Sequence, residues 1–212
     1  MANEGLALED VTYRGPPLTE EDKALVAQLP DTLHWVLGQL NGFVAFGGAL
    51  HVRGACQSPP WHSLQHAWGG EQAIHRLFPA VRPTDIPFGQ DCIGDQLLLR
   101  DAVVMRLDAD TGKISSTALE LMAFLEKASA SPESFLKTQP LDGLRASGQE
   151  LAPGQVVAVI PPLVIRIEGE RSYKAVPAEK QARFRADIAR QLAHVPDGAQ
   201  IRLQMPGAGE GG

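Results

Sequence analysis

Two histidines four residues apart, His62 and His66, are the first residues whose types and spacing point to chemistry. On a helix that spacing sets both imidazoles on one face, as a zinc site requires. No glutamate follows His62 in an HExxH order, and neither Cys56 nor His75 completes a metal-ligand spacing. The alternative is that His62 caps or packs beside Trp61 and Trp68, and on that reading neither a metal nor another cofactor is expected. Ser58, Ser63 and Cys56 lie near the histidines, yet no GxSxG elbow or cysteine-protease signature surrounds them. Asp91 and Asp95 have the types of an acid and base couple, although carboxylates in such turns more often cap them or face solvent. Asp108–Gly112, DADTG, begins like a calcium loop, but its glycine comes one position early and Leu119 stands where the bidentate glutamate belongs. A turn between strands is expected there. With neither a GxxxxGKS/T nor a GxGxxG motif, no glycine loop is available to cradle phosphate. No catalytic residue is assigned, and the chain is expected not to be an enzyme.

The elements that must position these residues are short. Residues 1–17 carry few large apolar groups and read as a flexible acidic arm. Thr19 and Asp22 form a capping box that opens a helix, and Pro30 interrupts or restarts it. Leu33, Val36, Leu37 and Leu40 then recur at helical spacing up to Asn41 and Gly42. Residues 43–46 and 49–52 read as strand pieces around Gly47 and Gly48, and Pro59 and Pro60 open a helix over WHSLQHAW. The helical pattern returns over residues 71–78. Residues 96–100, 103–107 and 113–115 make an antiparallel meander. Thr117 and Glu120 form a second capping box, ahead of a helix burying Leu121, Phe124 and Leu125, and Ser131 and Pro132 begin another through Phe135 and Leu136. Beyond residue 150, strands are expected over 156–160 and 163–167. A helix follows from Pro177 with Phe184, Ile188 and Leu192 as its apolar stripe, and a last strand is read over 201–205. The resulting division is an arm (1–17), a core domain (18–150), a strand-helix-strand extension packed on the core (151–205) and a disordered tail (206–212).

The 212 residues bound one main core, and 44% hydrophobic with 21% charged residues is globular composition. The net charge of −6 repels a phosphate backbone, so nucleic acid is not an expected partner. Cys56 and Cys92 form no CxxC pair, which fits reduced thiols in a cytoplasm. The start MANEGLALED has neither a basic nor an apolar signal region, and no stretch approaches 18 apolar residues. Neither export nor membrane insertion is expected.

Five segments carry a resemblance: LPDTLHWVLGQLNGF, PPWHSLQHAW, DIPFGQDCIGDQLLLR, VVMRLDADTG and the helix ending in FLEKA. In that order and spacing, over about Leu25 to Leu136, they resemble the SUKH superfamily, also called the Smi and Knr domain family. The segment Asp85 to Arg100 is the most specific part. The resemblance implies an α+β fold, a mostly antiparallel β-sheet packed against helices, here with a C-terminal α/β extension. It also implies protein binding without catalysis. Many bacterial members resemble immunity proteins that block secreted toxins, whereas fungal members are scaffold-like regulators.

Charge divides along the chain. Asp85 to Asp110 holds six Asp against two Arg, a local charge of −4, and residues 166–190 carry +3. Asp85, Asp91, Asp95 and Asp101 are therefore expected to rim a face that steers a cationic partner protein, of which a basic nuclease toxin is one example. Trp61 and Trp68 are its candidate anchors. Two other readings stand beside this one: a regulatory or scaffold protein binding a cellular partner, and a metal-dependent enzyme using His62 and His66.

Overall fold

Short apolar runs punctuated by Gly, Pro and Asp turn the chain back on itself repeatedly. In the computed structural model, which describes residues 6–196, 198 and 199, those runs pair in sequence order. β1 (Tyr13–Arg14), β2 (Phe43–Ala45), β3 (Leu50–Val52), β4 (Ile86–Asp91), β5 (Gln96–Arg100), β6 (Val103–Leu107) and β7 (Ile114–Glu120) form one seven-stranded sheet. Every neighbouring pair is antiparallel. The β5–β6 hairpin closes through Asp101 and Ala102, both at positive φ (49° and 69°), as a two-residue turn matched to strand twist requires. With its helices, this sheet makes the chain α+β, the expected class.

Helices α1 (Glu20–Val26) and α2 (Asp31–Gln39) precede β2. The Thr19–Asp22 capping box forms as expected, the Asp22 amide donating to Thr19 Oγ1 and the Thr19 amide to Asp22 Oδ2. α3 (Leu64–Gly69) and α4 (Ile74–Leu77) lie between β3 and β4; α5 (Leu121–Ala130), α6 (Pro132–Phe135) and α7 (Gln139–Ala146) follow β7. A second, two-stranded sheet pairs β8 (Gln155–Ile160) with β9 (Ser172–Pro177), and α8 (Ala178–Leu192) comes last.

The large sheet is covered on both faces. Leu97 and Leu99 of β5 point into a cluster with Leu33, Phe43, Phe88 and Phe124, which also takes in Val157 and Val159 of β8. Leu98, between them, points the other way into a second cluster with Leu107, Phe78 and Ile74, where Ala186 and Ala189 of α8 complete the cover. The unbroken LLL run is thus a strand buried on both sides, and the extension supplies part of each cover. No helix among the described residues is long and apolar enough to cross a membrane.

Several expectations need correction. The arm is paired structure from residue 6 onward: Thr12 N donates to Val44 O and Gly15 N to Gly42 O, while Leu6, Leu8 and Val11 pack on the core. Thr117–Glu120 remains in β7, across a bulge from β6, and α5 starts at Leu121 without a side-chain cap. Thr117 Oγ1 instead donates to Val104 O at 2.7 Å. Residues 163–167 form a loop, in which Arg171 donates to the carbonyl of Ile165 and to those of Pro161 and Pro162 just before it. The partner of β8 is Ser172–Pro177, whose Tyr173 and Ala175 pack on the core at period two. Phe184 does not face inward; α8 buries Arg185, Ala186 and Ala189 instead. Residues 71–78 shorten to the single turn of α4, and α7, which buries Leu141 and Leu144, was not expected. The strand read over 201–205 and the tail lie outside the described residues.

Candidate functional site

The histidine pair separates at Ser63. Residues 60–62 form a 3-10 turn, Ser63 adopts extended ψ (120°), and its hydroxyl caps α3 by accepting from the His66 amide. His62 therefore turns inward and is fully buried, while His66 is exposed one element later, so the two share no helix face. His62 Nε2 lies 3.1 Å from Asn41 O, and its Nδ1 lies 2.9 Å from His51 Nε2. A carbonyl only accepts, so the proton sits on His62 Nε2, Nδ1 accepts, and His51 Nε2 donates. Burial pushes His62 down to about 4, helped by the nearby Arg53 cation and opposed by the Asn41 carbonyl. Burial, then Arg53, hold His51 well below the usual imidazole value. Both rings are neutral near pH 7.

Three glycines make room for that pair. A Cβ on Gly15 or Gly54 would fall 2.5 or 2.8 Å from His62 Nε2, and one on Gly42, itself at φ +75°, 2.6 Å from His62 Cε1. The imidazole thus pins the arm, the β2 entrance and the β3 exit together. The thiols lie inside as well: burial raises Cys56 to about 11 and raises Cys92 also, which disfavours the thiolate a nucleophile needs. Among the described residues, no three His, Cys, Asp or Glu side chains come together to hold a metal ion.

The acidic residues behave in the same way, which corrects the expected rim. Asp85, Asp91 and Asp95 are buried; of the four only Asp101 is exposed, at the tip of the β5–β6 hairpin. Asp85 accepts from Arg100 Nε and Nη2 at 2.8 and 2.7 Å and from the Arg82 amide. Asp91 Oδ1 accepts the amides of Ile93 and Asp95, and its Oδ2 pairs with Arg106 at 2.6 Å. Asp95 Oδ1 accepts from the Ala109 amide and from Arg185 Nη2 at 2.9 Å. Arg185 reaches in from α8, giving Nε to Asp110 Oδ1 at 2.7 Å and Nη1 to Ile93 O at 2.6 Å. Burial and the Asp95 charge push Asp91 up to about 7, against the pull of Arg106 and Arg185. Asp108 Oδ1 accepts the amides of Asp110 and Thr111, so DADTG is the expected turn.

Trp61 and Trp68 are half-buried. Trp68 Nε1 donates to Pro83 O at 3.0 Å. Trp61 sits against Tyr13, His51 and His62, with the Gly154 backbone so close that a Cβ there would lie 3.0 Å from the indole. Its remaining edge lines a cleft of about 470 Å³, part of it open solvent, between α3 and α4 on one side and the start of α8 on the other. Arg53 and Gln90, from the sheet, lie at its base.

Arg53 was not anticipated, since one arginine after a three-residue strand carries no sequence signal. Only 5% exposed, it donates from Nη1 to Pro87 O and Gly89 O and from Nη2 to the side-chain oxygens of Gln90 and Gln96. It makes no ion pair among the described residues, and burial lowers it to about 10. The other accessible feature is apolar. Leu163 (47% exposed), Val164 (40%), Phe184 (53%) and Val195 are the exposed large hydrophobics of the described residues, and all four lie beyond residue 162.

No protein-family model and no curated protein matches the chain. Among solved structures it is similar to Atu4351 from Agrobacterium tumefaciens, with a TM-score of 0.52 and 15% identity over 83% of this chain and 85% of that one. That likeness is one of fold.

Proposed function

We propose that the chain is a non-catalytic protein-binding domain of the SUKH type, acting in the cytoplasm by occluding the surface of another protein, such as a toxin. The observation that carries this reading is the division of labour among side chains. His51, His62 and three of the four candidate aspartates are spent on internal bonds and both thiols are buried, whereas large apolar residues are left exposed on the C-terminal unit. Exposed large apolar side chains are available for protein contacts, and burying the exposed half of one contributes about 0.8–1.5 kcal/mol. The binding surface is accordingly moved from the acidic segment to Leu163, Val164 and Phe184. Its position on the extension also favours the second reading, a regulator whose C-terminal unit docks a separate cellular element.

The test is co-purification and calorimetric titration with the product of the adjacent gene. Phe184→Ser with Leu163→Ser should weaken binding by about tenfold or more, the scale of two lost apolar contacts, at unchanged melting temperature. Asp101→Lys should change it little. Equal affinity in the double variant would sink the surface assignment. Inhibition of the neighbour's activity separates immunity from scaffolding, and a neighbour that fails to bind at all refutes the immunity reading.

A further inference from the structure

The cleft base holds donors that the fold leaves without acceptors. Gln90 is 4% exposed, and its Oε1 accepts from both Arg53 Nη2 and Gln96 Nε2 at 3.2 Å, which fixes the amide orientation. Gln90 Nε2 then donates to nothing among the described residues, and neither does Nε of Arg53, whose Nη2 is bonded to the same Gln90 amide. Each nitrogen keeps some accessible surface, since no fully enclosed side-chain nitrogen or oxygen among the described residues lacks a partner, and both residues line the cleft. The Arg53 guanidinium carries a full charge that no carboxylate among the described residues balances, an arrangement that costs stability unless something answers it. On another wall α8 starts at Ala178, whose amide donates to Gly154 O; its N-cap Pro177 offers no side-chain acceptor to the next amides, and Ala178, Glu179 and Ala182 line the cleft, so the positive end of a fifteen-residue helix borders the same space.

We propose that this cleft is a carboxylate-binding site that receives an Asp or Glu side chain of a partner protein, with Gln90 Nε2 and Arg53 Nε donating to its two oxygens. One buried cation calls for one negative charge, and two adjacent N–H donors match the two oxygens of a planar carboxylate better than the more highly charged phosphate. Trp61 supplies an apolar edge beside the charged tip. Glu179, exposed on the α8 wall and not paired with Arg53, repels an incoming anion and weakens the site. The identity of the occupant rests on the protein-binding reading above; the carboxylate site itself does not.

The test follows the Gln90 side-chain amide and Arg53 Nε–H signals of the ¹⁵N-labelled full chain by NMR. Sodium acetate should shift both saturably, while sodium chloride at equal ionic strength and neutral acetamide should not. Glu179→Gln should lower the half-saturating acetate concentration by about threefold at low salt, the scale of one screened like charge. Gln90→Glu places a carboxylate against Arg53 within the chain, keeping the shape and both accepted bonds. It should abolish the acetate response without lowering the melting temperature. Acetyl-Gly-Asp-Gly-amide should reproduce the acetate shifts and its Asn counterpart should not. Without saturation by acetate, or with equal shifts from acetamide, the site is overturned whatever partner binds elsewhere. If acetate saturates but the Asp peptide does not, the site takes free carboxylates only and its assignment to a partner side chain fails.

Discussion

Arg185→Met removes the cation that pairs with both Asp95 and Asp110, two carboxylates with side chains just 8% exposed, while keeping a side chain of similar length in α8. Stripping one partner from a buried ion pair costs about 3–5 kcal/mol, because the remaining charge is stranded. The stranded carboxyl can escape by taking a proton. From an ordinary value near 3.9, that costs about 4 kcal/mol at pH 7 and about 1.5 kcal/mol at pH 5, at about 1.4 kcal/mol per unit. The expected loss is therefore about 4 kcal/mol at pH 7, shrinking by about 2–3 kcal/mol at pH 5. Against a domain stability of about 5–15 kcal/mol the variant still folds. With a urea m-value of about 2 kcal/mol/M, its midpoint should fall by about 2 M at neutral pH. Adding Asp95→Asn should restore part of the loss by removing one stranded charge. Urea unfolding followed by far-ultraviolet circular dichroism at both pH values measures all of this. A loss under about 1 kcal/mol, or the same loss at pH 5 and pH 7, would refute the role given to Arg185.

Four further outcomes follow from the buried groups. Gly15→Ala should cost more than about 3 kcal/mol or prevent folding, because its Cβ overlaps the Asn41 carbonyl and His62, whereas Gly69→Ala, with nothing within 4 Å, should change the urea midpoint little. His62 binds a proton less readily folded than unfolded, so its contribution is complete above pH 6.5 and is lost as pH falls toward 4, by about 3 kcal/mol in all. Its Cε1–H NMR signal should hold the neutral position down to about pH 5, and titration near 6.5 would contradict the buried geometry. Asp91, raised to about 7, acts in the opposite sense, stabilising below about pH 4 and losing that contribution as pH rises to neutrality. Cys56 and Cys92 should react with Ellman's reagent slowly in the native protein and at once in 6 M guanidinium, a contrast scaled by local opening. Rapid native labelling would place a thiol outside the core.

Local chemistry was legible where neighbours in sequence decide the structure. The Thr19–Asp22 capping box, the Leu33–Val36–Leu37 stripe and the Asp101–Ala102 hairpin need no distant partner, and all three form where they were read. Elements decided by distant partners were misread. LVIRI at 163–167 has the composition of a strand, but Arg171 takes the Ile165 carbonyl inside it and the Pro162 carbonyl just before it. Phe184 is more apolar than Arg185, yet α8 turns Arg185 inward because Asp95 and Asp110, some 75 to 90 positions away in sequence, wait there. Thr117 and Glu120 match a capping box, but the ladder with β6 is still running and claims them.

The same logic reassigns the segment from Asp85 to Arg100. Counted along the chain, its aspartates are an excess of negative charge; placed in the fold, each has an arginine from another element: Arg100 from the far end of β5, Arg106 from β6 and Arg185 from α8. A net count over residues 85–110 includes Arg100 and Arg106 but cannot show that they pair with Asp85 and Asp91 inside the fold, and it misses Arg185 on the last helix altogether. The surface signal lay where charge counting does not look. The exposed apolar residues beyond 162 were read as a strand and an inward stripe, since apolar runs are ordinarily buried. Arg53 reverses the argument: a cation with no balancing carboxylate among the described residues. Buried charge is retained when something answers it. For Asp91 and Asp95 the answer is internal and architectural, and for Arg53 the open cleft above Gln90 leaves room for an answer from outside the chain.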